Sequence, residues 1–142
     1  MINIITWEKL DECDLPPPVQ TIYALKLAID EFFQEGKEYR YNRYTENWQT
    51  LRSGLKKLGF KLLLNPEDES HILLTVIEPD NPKYDFDKMH DLLYENGFTI
   101  YPGKVGGQRT FRLANMGAIN SDDIQIFLVE LSNVMKKMGI LV

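Results

Sequence analysis

The clearest hydrophobic pattern in the chain is a stripe of Tyr41, Tyr44, Trp48, Leu51, Leu55 and Leu58, spaced by three and four residues and stopped at Gly59. That spacing stacks side chains on one face of an α-helix, so it predicts a helix whose apolar face serves a core. Arg43, Asn47, Arg52 and Lys56 fall on its opposite face. An earlier stripe, Ile22, Leu25, Ile29 and Phe32, runs between Pro18 and Gly36. Three consecutive prolines at 16–18 forbid helix before Pro18, but Pro18 itself suits a first turn, where its missing N–H is not needed. The two helices are expected to pair antiparallel.

Beyond Gly59 the pattern changes. "FKLLL" at 60–64 predicts a short strand closed by the turn "NPEDE", and "HILLTVI" at 71–77 predicts a central strand. Asp85 can cap a helix carrying Phe86, Met89, Leu92 and Leu93 that ends at Gly97. "FTIY" at 98–101 predicts another strand, the loop "PGKVGGQ" follows, and a further strand covers 109–114. Ser121 is the expected cap of a last helix, with Asp122 and Asp123 in its first turn and Lys136 and Lys137 in its last. Those charges complement the helix dipole at both ends. The order is α-α-β-β-α-β-β-α. It predicts an α+β fold, a two-layer sandwich with a small, mostly antiparallel sheet and helices on one face. The other sheet face is then solvated or docked on something else.

Composition narrows the function. A chain of 142 residues, 44% hydrophobic and 26% charged, suffices for about one soluble domain. A net charge of −5 argues against nucleic acid or a membrane surface as partner. No apolar run reaches the ~18–20 residues of a membrane span. The single Cys13 excludes an internal disulfide, so a reducing, cytoplasmic setting is the default expectation.

Few residues carry a chemical pattern. Neither G-x-G-x-x-G nor a P-loop is present, and His71 and His90 lack metal-ligand spacing, so no metal site is expected. One cluster remains: Lys104, Arg109 and Arg112 surround the glycine-rich stretch. Arginine offers a planar fork that matches a carboxylate or phosphonate, and glycine lets a ligand approach the backbone. For Lys104 and Arg109 the ordinary reading is a basic hairpin loop. Arg112 is better placed. In "TFRLANMG" at 110–117, Phe111 and Leu113 point to one side of a strand and Thr110, Arg112 and Ala114 to the other.

In chain order, "PPVQTIYALKLAIDEFFQEG", "RYTENWQTLRSGLKKLGFKLLL", "GFTIYPGK" and "TFRLANMG" resemble one family. They are similar to the C-terminal small domain of the class V, fold-type I aminotransferases, which use pyridoxal phosphate, and within it to the 2-aminoethylphosphonate–pyruvate transaminase branch. The resemblance covers 16–142 and leaves 1–15 unassigned. It implies a part of a larger enzyme that forms phosphonoacetaldehyde and L-alanine, with an aminotransferase large domain and a second subunit as partners. It also implies that Arg112 holds the substrate carboxylate; Lys104, from the basic cluster at the loop, is a second substrate-binding candidate. No lysine stands in the family's Schiff-base motif, so this chain alone is expected to hold no cofactor and to be inactive. Pro16 occupies the place of a threonine that helps hold the cofactor phosphate. The opposing reading is a stand-alone interaction or regulatory module that keeps the fold without catalysis.

Overall fold

The computed structural model describes residues 18–140, apart from the side chain of Lys104; Cys13 and Pro16 lie outside the described residues. The chain divides into two compact units, residues 1–37 and 38–142. In the first, helix α1 spans Val19–Glu35, directly after Pro18, and ends at Gly36, whose φ of 82° is a left-handed value that glycine adopts without strain. Lys26 and Asp30 pair one turn apart on its surface.

The second unit follows the predicted order: α2 (Lys37–Lys57), β1 (Lys61–Leu62), β2 (Leu73–Ile77), α3 (Phe86–Glu95), β3 (Tyr101–Val105), β4 (Gln108–Ala114) and α4 (Ser121–Lys137). The strands form one sheet in the order β1-β2-β4-β3 with every neighbour antiparallel. Leu51 and Leu55 of α2, Met89 and Leu93 of α3, and Leu131 and Met135 of α4 form one core with Leu74, Val76, Phe111 and Leu113 of the sheet. Alternation along β2 and β4 sends those four sheet residues to the helices and Thr75, Thr110 and Arg112 to the opposite face, where Arg112 is exposed and Thr110 is buried. The expected α+β sandwich, with its helices on one sheet face, is the observed fold.

Several boundaries differ from the sequence expectation: β1 and β2 are shorter than 60–64 and 71–77, and three further differences bear on the site. The strand expected at 98–101 begins at Tyr101 and continues through Pro102, Gly103 and Lys104 to Val105. Proline is tolerated there because β3 is the sheet edge, where one side of the strand makes no ladder. The loop shrinks to Gly106 and Gly107, with φ of 55° and 82°. Two successive positive φ values are what a tight two-residue hairpin requires, and they move Lys104 from a loop onto a strand.

The cap of α4 is Asn120, not Ser121. Asn120 accepts from the backbone N–H of Asp122 and Asp123, and the Asp123 carboxylate accepts from the Asn120 N–H, a reciprocal capping box. Asp85 does cap α3, accepting from Lys88 N–H. Part of the polar side of α2 is covered as well. Asn47 is 1% exposed and donates to the Ile119 carbonyl, and Arg43 donates to the carbonyls of Gly117 and Ile119.

Leu131→Ala removes a fully buried side chain, so it should cost about 2–5 kcal/mol of unfolding free energy, whereas Ile126→Ala, at an exposed site on the same helix, should stay within about 0.5 kcal/mol in denaturant titrations.

Tyr84 gives a second expectation. Burial, reinforced by the Glu78 charge, raises its pKa well above the ordinary 10.0. The unfolded chain therefore loses this proton first, and the contribution, complete below about pH 10, is lost as pH rises beyond it. The hydroxyl is buried without a partner. Tyr84→Phe should accordingly keep or raise stability at neutral pH and flatten the alkaline fall in melting temperature.

Candidate functional site

Arg112 sits on β4, an interior strand, so its backbone is held from both sides: Thr75 of β2 and Tyr101 of β3 are its cross-strand partners. Its strand neighbours Phe111 and Leu113 are buried at 0% and 5% exposure on the helix side, which fixes the guanidinium on the open face. There the side chain is exposed and makes one long hydrogen bond, Nη2 to the Pro102 carbonyl at 3.4 Å. Among the described residues no carboxylate pairs with it. A cation presented by rigid backbone and left without an anion suits a carboxylate ligand.

The other two basic candidates are separated from it. Arg109 bonds Glu78 through Nε to Oε2 at 3.1 Å, and the Arg109 carbonyl accepts from the Glu78 N–H, so its role is to tie β4 to the end of β2. Lys104 is paired in register with Arg109, three rungs along from the Tyr101–Arg112 pair. Among the described side chains, Arg112 is therefore the cation at the centre of the open face. Clefts of about 400 Å³ beside Phe60 and Glu78 and about 320 Å³ beside Phe98 and Phe127 are lined by other residues. Among the described residues no cluster of His, Cys, Asp and Glu could hold a metal ion, and no helix is long and apolar enough to cross a membrane.

A polar network missed in the sequence supports the end of β4. Asn115, fully buried, donates to the carbonyls of Tyr44 and His71. His71 stacks on Trp48 with ring centroids 4.3 Å apart, and Thr45 Oγ1 lies 3.0 Å from His71 Nδ1. Trp48 Nε1 and Arg52 Nε both donate to Glu69 Oε2, at 3.0 and 2.9 Å. The only sequence signal was a set of polar residues on the second helix, which reads equally well as a solvated face.

Comparison with solved structures gives the class. The fold matches pyridoxamine–pyruvate aminotransferase from Mesorhizobium loti with a TM-score of 0.79 at 21% identity, over 88% of this chain and 32% of that one. It matches alanine–glyoxylate aminotransferase from Nostoc sp. with a TM-score of 0.73 at 26% identity, over 83% and 32%. The chain thus has the fold of an aminotransferase part.

Sequence relatives give the branch. The chain is 35% identical over 127 residues to 2-aminoethylphosphonate–pyruvate transaminase 1 of Burkholderia lata, covering 89% of this chain and 34% of the relative. It is 36% identical over 119 residues to the 2-aminoethylphosphonate–pyruvate transaminase of Salmonella schwarzengrund, covering 83% and 32%. No family model matches. These matches show the expected resemblance: the chain is a relative of the 2-aminoethylphosphonate–pyruvate transaminases and spans about a third of their length.

Arg112→Gln should leave folding stability within about 0.5 kcal/mol of wild type, because an exposed side chain with one long hydrogen bond loses little. Glu69→Ala should be far more damaging, by about 3 kcal/mol, because Arg52 is left part-buried without its anion. Parallel urea titrations check both.

Proposed function

We propose that residues 16–142 form the small domain of a 2-aminoethylphosphonate–pyruvate transaminase and supply the arginine that holds the substrate carboxylate. The observation that carries this reading is Arg112: an exposed guanidinium on an interior strand, unpaired with any acid among the described residues. The amino donor is 2-aminoethylphosphonate and the acceptor pyruvate, giving phosphonoacetaldehyde and L-alanine. The setting is cytoplasmic and the assembly a homodimer. Lys104 stays a weaker candidate, because its register position is opposite Arg109.

Pyridoxal phosphate supplies the electron withdrawal that amino transfer needs when bound. The described residues do not fit it by themselves. A Schiff-base lysine belongs in an enclosed site, and every lysine whose side chain is described is exposed. The part assigned to this chain is therefore to bind and orient the carboxylate, with the cofactor floor belonging to an aminotransferase large domain. Matching only about a third of each relative agrees with that division.

The test joins this chain to the portion of the Burkholderia lata relative that it does not match, and follows alanine formation from 2-aminoethylphosphonate and pyruvate. Arg112→Ala should lower kcat/KM for pyruvate by roughly a hundredfold, the loss expected for a charge-assisted bidentate contact. Arg112→Lys should recover only part of it, since an ammonium lacks the planar fork. Unchanged kinetics in Arg112→Ala would overturn the assignment. Absence of transamination in a folded assembly favours the non-catalytic module.

A further inference from the structure

Helix α1 buries none of its 17 residues, whereas α3, with 10, buries Met89 and Leu93. Yet α1 is rich in large apolar side chains. Ile22, Leu25, Ile29 and Phe33 recur at helical spacing along one side, and Tyr23 and Leu27 form a second, shorter row. All six are exposed, Leu25 at 59% and Phe33 at 75%. The Lys26–Asp30 ion pair lies between the two rows. One exposed leucine is ordinary, but contiguous apolar rows mark a surface built to be covered. A helix that is apolar on more than one side belongs in an interior.

Chemistry and length narrow what covers it. Nucleic acid and anionic membrane surfaces attract basic residues, and α1 carries one lysine against Asp30, Glu31 and Glu35. The Lys26 charge is already met by Asp30, so it asks no counter-charge of a partner. A neutral, apolar protein surface is what fits. The match to the Burkholderia lata relative takes in 127 of the chain's 142 residues, so α1, which begins at Val19, falls inside it. About two-thirds of that relative lies outside the match. The bare helix therefore belongs to the shared portion, and the larger portion of the relative has no counterpart in these residues.

From this we infer that α1 is a docking helix: its two rows seat against an apolar surface of the aminotransferase large domain. The inference rests on the reading of this chain as the small-domain part of such an enzyme. It adds to that reading the surface through which the two portions join.

Hydrogen exchange of the α1 amides, followed by mass spectrometry, tests this. It compares the 142-residue chain with the same chain joined to the unmatched portion of the Burkholderia lata relative. In the chain alone, α1 should exchange within about tenfold of an unstructured peptide, because a lone helix of this length is marginal in water. In the joined assembly it should exchange at least about a hundredfold more slowly. Leu25→Ala shortens one row without adding charge, so it should lower that protection about tenfold in the assembly. The same change should leave the melting temperature of the 142-residue chain unaltered, since no buried contact is lost. Glu31→Gln, which lies off both rows, should change neither.

Equal exchange in the chain and the assembly overturns the inference, and so does full protection in the Leu25→Ala assembly. Protection already present in the monomeric chain overturns it as well. A discrete dimer of the chain alone, with α1 protected, would give the rows to a second copy, and co-sedimentation with phosphatidylglycerol vesicles would give them to a membrane. Activity keeps this claim apart from the reading it rests on. An assembly that transaminates with α1 unprotected sinks the docking helix and spares the transaminase, and an inactive assembly with α1 protected does the reverse. Arg112→Ala should lower kcat/KM and leave α1 protection intact.

Discussion

β4 has to serve two unlike surfaces at once, and its register decides both. Phe111 and Leu113 enter the helix layer, where Phe111 meets Phe60 and Phe86 at ring-centroid distances of 5.9 and 6.3 Å. Each such burial contributes about 1.5–3 kcal/mol. A slip of one residue would exchange the faces, exposing both apolar side chains and driving Arg112 into a core with no acid to meet it. The position of Arg112 therefore follows from the burial of its neighbours. Its side chain adds only one long hydrogen bond, to the Pro102 carbonyl.

The end of that strand is secured by polar groups on α2. Arg43, Asn47 and the carbonyl of Tyr44 fasten the segment 115–119, which leaves β4 directly after the open-face residues. Buried polar groups contribute little net stability when paired, but they are costly when unpaired, so they favour one arrangement over its near alternatives. Glu69 shows the same logic on the other side of α2: one carboxylate oxygen accepts from both Trp48 and Arg52 and pins the segment before β2. The apolar core sets how β4 faces, and this network sets where it stops.

Periodicity was enough to read the order of elements, because each of the longer helices carries a regular apolar stripe, β2 is apolar and β-branched, and β4 alternates Phe111 and Leu113 with polar neighbours. It misplaced β3, because Pro102 and Gly103 read as breakers; only the edge position and the tight Gly106–Gly107 turn make them strand residues. The choice between Ser121 and the true cap, Asn120, turns on one residue of backbone geometry that composition does not encode. At the candidate site, strand alternation alone separated Arg112 from Phe111 and Leu113. It could not tell Arg109, whose charge is spent on Glu78, from a free cation, since that ion pair joins residues from different strands.

An exposed arginine is easily kept but binds weakly. In water the attraction between unit charges about 4 Å apart is only about 1 kcal/mol, and it grows several-fold once a second surface excludes solvent. This chain orients the guanidinium on a rigid strand without burying it, and so avoids the desolvation cost of an unpaired charge in its own core. On the proposed reading, the remaining two-thirds of the enzyme supplies the water exclusion, and the substrate carboxylate arrives as the counter-charge when the site closes. Orientation and affinity are then built by different parts of the protein. On that reading, this chain's core orients the arginine and the partner surface supplies the strength of the contact.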